Sequence, residues 1–250
     1  MKKPIIFKIF LSIAIIFFIS GCIVYNSMNQ SQSDPAAVTR VKIMNRNLHG
    51  FPAEIVKYTN LKELYLFRDH LDSLPDDIGN LKNLEELVLS SNNITSLPAS
   101  IGQLTKLKKL SIKYNKLKAL PPEIGNLTEL TELSLEFNQL ETLPPEIGKL
   151  KKLEFLYIND NQIDTLPKEI GDLTNLKFLI IGKNSLNNFP REIGNLSNLT
   201  ELNVAHCGPI VELPESIKNL KQLEYLYIDG TILVPYSVKM INPRLKIVSE

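Results

Sequence analysis

From Val38 to Val234 the apolar residues keep a fixed order. A segment Leu-x-x-Leu-x-Leu is followed by a polar step, then Leu-Pro, then Ile-Gly. Leu-Pro stands at 74, 97, 120, 143, 166 and 213, and Phe-Pro replaces it at 51 and 189. The spacing is 23 residues, except for one step of 24 between 189 and 213. The unit is LxxLxLxxNxLxxLPxxIGxLxx, and nine copies begin at Val38, Leu61, Leu84, Leu107, Leu130, Leu153, Leu176, Leu199 and Leu223. Alternating leucines in LxLx place one face of a short strand inward. Each unit adds one strand beside the last, giving a parallel sheet. Proline suits the start of a short helical turn and glycine its end, so Leu-Pro to Ile-Gly returns the chain on the opposite side. No single unit buries its own leucines; the array is stable only by stacking.

This unit resembles the leucine-rich repeat family in its 23-residue Leu-Pro, Ile-Gly form. The resemblance covers residues 38–234 and implies an α/β solenoid. The expected shape is a right-handed horseshoe, with a concave parallel β-sheet and short helical or 3-10 turns on the convex side. In it Asn92, Asn115, Asn138, Asn161 and Asn184 form a structural ladder, each amide bonding backbone groups where a strand turns away. Arg46 and Asp69 hold that position in the first two units, and Cys207 and Thr231 in the last two. The family often accepts cysteine there, which makes Cys207 a buried structural thiol. The extra residue of the 24-residue unit, near Gly208-Pro209, reads as a local bulge. Residues 235–250 break the pattern and read as a cap, with Leu245-Lys246-Ile247-Val248 as a tenth strand.

Offsets +2, +4 and +6 from each unit start face the concave side. Those 27 positions hold seven of the 14 Phe and Tyr residues that follow residue 22, against fewer than two by chance (27/229 of 14). They are Tyr65, Phe67, Phe155, Tyr157, Phe178, Tyr225 and Tyr227. With Ile180 beside Tyr157, they form the candidate partner-binding set, since exposed aromatic patches mark binding surfaces. The competing reading is that aromatics favour strands and support one another across a sheet. The column Glu86, Lys109, Glu132 alternates in sign, and Lys113 neighbours Glu136. These charges read as self-neutralising solvation of the face.

The N-terminus has a different pattern. Met1-Lys2-Lys3 precedes an apolar run from Ile9 to Ile19, broken once by Ser12. As a helix that run spans about 16 Å, short of the ~30 Å hydrocarbon core. With small residues ahead of a cut site it describes a secretory signal. Ile19-Ser20-Gly21-Cys22 resembles a bacterial lipobox, which implies a signal peptide over 1–21, diacylglyceryl on Cys22 and a polar tether over 22–37. Two or three acyl chains at about 0.8 kcal/mol per methylene anchor a protein effectively irreversibly. An uncleaved membrane helix from Ile5 to Val24 is the competing reading. Similar repeats occur in exported lipoproteins of spirochaetes and bacteroidetes-type bacteria, and in intracellular scaffolds that touch Ras-type GTPases.

Composition narrows the function. Lys plus Arg number 28 and Asp plus Glu 27, for a formal charge of +1. Removing residues 1–22 removes Lys2, Lys3 and Lys8, leaving −2, so nothing draws the chain to nucleic acid. Two cysteines make no disulfide framework, and no Cys/His cluster has zinc spacing. No GxSxG, phosphate-loop or HExxH motif is present. The expectation is therefore no enzyme, no cofactor and no metal. The protein is read as a lipoprotein of the bacterial cell envelope, at the outer membrane or cell surface, that binds a protein (or a glycan) through its concave face. A self-associating envelope scaffold is one alternative. An intracellular GTPase-pathway scaffold is another, should the N-terminus remain unprocessed.

Overall fold

The computed structural model describes residues 35–241 and 245–249. The expected signal segment 1–21, Cys22 and most of the tether lie outside the described residues. Pro35–Ala37, at the tether's end, form a 3-10 turn.

The repeat becomes one strand per unit. These are β1 Arg40–Met44, β2 Glu63–Phe67, β3 Glu86–Val88, β4 Lys109–Ser111, β5 Glu132–Ser134, β6 Phe155–Tyr157, β7 Phe178–Ile180 and β8 Glu201–Asn203. Then follow β9 Val211–Glu212, β10 Tyr225–Ile228, β11 Ile232–Leu233, helix α1 Tyr236–Ile241 and β12 Lys246–Ser249. Strands β1 to β8, β10 and β12 make a ten-stranded sheet in chain order, and β9 pairs with β11 in a second, small sheet. All pairings are parallel, as a solenoid requires. A three-residue strand has no stability alone. Here the register stacks Leu87, Leu110, Leu133, Leu156, Leu179 and Leu202 in one row, each fully buried.

After each of the strands β1 to β8 the chain makes a 3-10 turn on the opposite side, such as Pro122–Asn126 or Lys168–Asp172. The preceding Leu-Pro proline caps it with φ between −65° and −74°, the value its ring enforces. The glycine of Ile-Gly answers a steric demand. A Cβ on Gly125 would lie 2.6 Å from the Glu146 carbonyl oxygen of the next turn. Unit eight, which has α1 against its turn instead of another such turn, carries Lys218 there.

The asparagine column forms hydrogen bonds to its own unit and the one before. Asn138 Nδ2 donates to the carbonyls of Ile112 (3.0 Å) and Leu135 (2.9 Å), and its Oδ1 accepts from the Leu117 N–H at 3.0 Å. Asn92, Asn115, Asn161 and Asn184 repeat the pattern. At Cys207 the thiol is fully buried and burial pushes it up to about 12. The Leu186 N–H, which an asparagine there would accept, goes instead to the Cys207 carbonyl. Just beyond, a Cβ at Gly208 would collide with the Leu186 carbonyl. The inserted residue therefore follows a close backbone approach, and β9 begins directly after it. Neither the β9–β11 pair nor α1 is foreshadowed by the repeat.

Asp69 is the ladder's exception. It is fully buried, Oδ1 accepts from the Arg46 N–H at 2.8 Å, and Oδ2 has no partner among the described residues. By the repeat, Oδ2 sits where Asn92 places a donor toward carbonyls. Burial pushes the Asp69 carboxyl above the ordinary carboxylate range. The Arg46 N–H and charge, the Phe67 N–H and His70 pull it down less. A folded value above the unfolded one favours folding with the proton on. Stability is therefore greatest below the ordinary carboxylate range and falls as pH rises through the folded value. Asp69→Asn restores both donors and is expected to stabilise by about 1–2 kcal/mol at pH 7. Paired urea titrations should show that gain shrinking toward pH 3; a gain independent of pH would contradict the assignment.

Candidate functional site

The concave face presents three columns of outward side chains. The +2 column runs Arg40, Glu63, Glu86, Lys109, Glu132, Phe155, Phe178, Glu201, Tyr225 and Lys246. The +4 column carries Tyr65, Tyr157, Ile180 and Tyr227; Phe67 and Glu136 belong to +6. Their alternating neighbours are the buried leucines, so these residues face out as the alternation expects, and all eight candidate partner-binding residues are half-buried.

The face divides into two chemically distinct halves. In the first, cations and acids satisfy one another. Arg40 holds Glu63 through both carboxylate oxygens, at 2.5 and 2.6 Å. The Tyr65 hydroxyl lies 2.7 Å from Glu86 Oε2 and 3.1 Å from Glu63 Oε2. Burial and those two carboxylates push the phenol well above its ordinary range. Lys42 lies over the Tyr65 ring at 5.6 Å, and Arg68 over Phe67 at 5.2 Å. Lys109 reaches Glu132 at 3.1 Å. The expected Lys113–Glu136 neighbourhood makes no ion pair. Glu136 Oε2 is buried without a partner among the described residues, and burial raises its carboxyl despite Lys113.

In the second half, rings face rings. Phe155 stacks on Phe178 with centroids 5.2 Å apart, and Tyr157 and Ile180 pair in the next column. Tyr225 and Tyr227 stack at 6.3 Å, and Lys246 lies 5.0 Å over the Tyr225 ring.

One further column is missed by strict alternation. Offset +7 holds Asn45, Arg68, Ser91, Tyr114, Phe137, Asp160, Lys183 and His206, all with φ between 54° and 60°. An odd offset belongs to the core side of a strand. The left-handed backbone turns it outward onto the rim instead. Tyr114 and Phe137 thus stack at 4.3 Å and 7°, 49% and 39% exposed. Bulky residues rarely hold that conformation. The 23-residue spacing of two aromatics was the available signal. His206 on the same rim meets Asp229, Nδ1 to Oδ2 at 2.9 Å, while Cys207 points inward, so the two do not converge. Burial raises the Asp229 carboxyl, but hydrogen bonds from Thr231 and His206 outweigh it and leave it below the ordinary range. Thr231, in the last unit's ladder position, gives both its hydroxyl and its N–H to Asp229.

Among the described residues no three His, Cys, Asp or Glu side chains converge as a metal site, and no helix is long and apolar enough to cross a membrane. A shallow depression of about 430 Å³ lies on the rim at Asn45, Asn47, Arg68, His70 and Ser91. A long, open sheet with aromatic strands is suited to recognising a macromolecular surface.

The architecture is therefore that of a parallel-sheet solenoid with one open concave face. The leucine-rich repeat region family matches residues 45–142, 133–207 and 168–243, and the chain belongs to the leucine-rich repeat family. A comparison with curated proteins gives no significant match. Among solved structures, a leucine-rich repeat protein of Leptospira interrogans is 35% identical with a TM-score of 0.64, over 86% of this chain and 61% of that one. The ectodomain of the Arabidopsis thaliana receptor kinase GASSHO1/SCHENGEN3, solved with CASPARIAN STRIP INTEGRITY FACTOR 2, is 31% identical with a TM-score of 0.69. That match covers 80% of this chain and 26% of that one. The internalin InlF of Listeria monocytogenes shares the fold, at 23% identity and a TM-score of 0.70 over 88% and 64% of the two chains. This chain thus spans about three-fifths of the Leptospira protein and a quarter of the plant ectodomain. Leucine-rich repeat solenoids are typically non-enzymatic scaffolds for protein interaction.

Proposed function

We propose that this protein is a bacterial envelope lipoprotein that binds another protein through the concave face of its solenoid. The carrying observation is the ring surface of β6 and β7. Phe155, Tyr157, Phe178 and Ile180 stand outward from the sheet, half-buried, with the core filled by other side chains beneath them. Such aromatics anchor protein interfaces, and neighbouring polar residues select among partners. Strands about 4.8 Å apart make this sheet roughly 40 Å long, enough for the ~800 Å² a standard interface takes from each partner. The plant receptor's complex and the Leptospira homologue support a protein ligand and a bacterial setting. The lipobox-like Ile19-Ser20-Gly21-Cys22 supports the anchor, and the acyl chains on Cys22 then set the location.

The anchor has a direct test. Expressed in a lipoprotein-processing bacterium, the chain is expected to begin at residue 22 and to carry a lipid-sized mass gain. Globomycin should block its maturation, and Cys22→Ala should abolish the lipid. An intact chain beginning at Met1 would return the membrane-helix and intracellular readings, and the partner would then be sought inside the cell.

A further inference from the structure

Glu201 stands apart from the other acids of its column. Glu63 is held by Arg40, Glu86 by the Tyr65 hydroxyl and Glu132 by Lys109. Glu201 has no hydrogen bond and no ion pair among the described residues, and burial alone raises its carboxyl. Its neighbours at the same register are rings, Phe178 on one side and Tyr225 on the other. The outward positions of β6, β7 and β8 hold no lysine or arginine. Lys246, two strands away, is already engaged with the ring and hydroxyl of Tyr225. A half-buried carboxylate between aromatic faces, with no cation of its own, favours a positive charge from outside. Such a charge meets the carboxylate and lies against the negative ring faces in the same step.

We propose that Glu201, between Phe178 and Tyr225, receives an arginine side chain of the protein partner, with an apolar partner residue packed on Phe155 and Phe178. The proposal rests on the concave face being the protein-binding surface and names the chemistry of what binds there. Arginine fits better than lysine, because a planar guanidinium stacks on a ring while its N–H fork grips a carboxylate. Phe155 lies two strands from Glu201, about 10 Å. An extended partner crossing the sheet covers that in about three residues. The partner is therefore a segment with arginine and an aromatic or aliphatic residue two to three positions apart. Both halves of the match are needed. Rings alone would accept any apolar segment, and the carboxylate alone would remain better solvated by water.

The test pans a displayed library of random dodecapeptides on the full-length protein in detergent, beside Glu201→Gln and Phe155→Ala/Phe178→Ala. Far-ultraviolet dichroism and melting verify that both variants are folded. Wild type is expected to enrich arginine with an apolar residue two to three positions away by about fivefold or more over the input. On Glu201→Gln the arginine enrichment should fall to input while apolar enrichment persists. On the double variant both should vanish. Equal arginine enrichment on wild type and Glu201→Gln would overturn the cation site and leave the face intact. Undiminished recovery on the double variant would instead overturn the face as the binding surface. Enrichment of uncharged or acidic peptides, or none at all from wild type, would overturn the proposal. So would full displacement by millimolar choline, which would assign the site to a small quaternary ammonium.

Discussion

Replacing Asn138 by alanine is expected to destabilise the solenoid by about 3 kcal/mol and to lower its melting temperature by roughly 10 °C. The loss is uneven across the bonds the side chain makes. The Ile112 carbonyl keeps a donor in Asn115 Nδ2, and the Leu135 carbonyl keeps one in Asn161 Nδ2. The Leu117 N–H has no such reserve; it is buried and loses its acceptor. An orphaned buried N–H costs about 1–3 kcal/mol, and the vacated volume adds a packing loss. Because neighbouring units stabilise one another through their interfaces, weakening the fifth unit weakens both sides of the array. Scanning calorimetry of the variant beside wild type reads the effect. An unchanged melting temperature would refute the structural role of the column.

The second large effect concerns recognition. Phe155→Ala with Phe178→Ala should leave the fold standing, because the leucines that alternate with them carry the core. The lost ring stack is worth about 0.5–1.5 kcal/mol of stability, a melting shift of a few degrees. Truncating two interface anchors costs about 2 kcal/mol or more each, so partner affinity should fall at least a hundredfold. Calorimetric titration against the partner separates the two quantities. Wild-type affinity in the double variant would remove β6 and β7 from the site.

Much of the fold was legible because one physical constraint recurs every 23 residues. Strand positions, inward leucines, the asparagine column and the proline-capped turns all follow from a unit that must stack on its own copy. What broke the period was opaque. Two residues of β9 and two of β11 are too short to leave a pattern, and α1 lies beyond the last unit. The rim was missed by alternation, since Tyr114 and Phe137 occupy an odd offset that only a left-handed backbone turns outward. At the candidate site, spacing placed the rings on the concave face but could not say which were engaged. Tyr65 and Phe67 are covered by Lys42 and Arg68, and Tyr65 is bound into a carboxylate network. The isolation of Glu201 is equally invisible in spacing, because it depends on which cations reach which acids.

The central claim, that the concave strands β6 and β7 bind a protein, is tested most directly by photocrosslinking in the producing cell. p-Benzoylphenylalanine is placed at Phe178 and, separately, at Lys149 on the exposed convex turn. The account predicts a discrete adduct to a second protein from position 178, absent from position 149 and removed by Phe155→Ala. Adducts from position 149 alone, or from 178 only to a second copy of this chain, would contradict it.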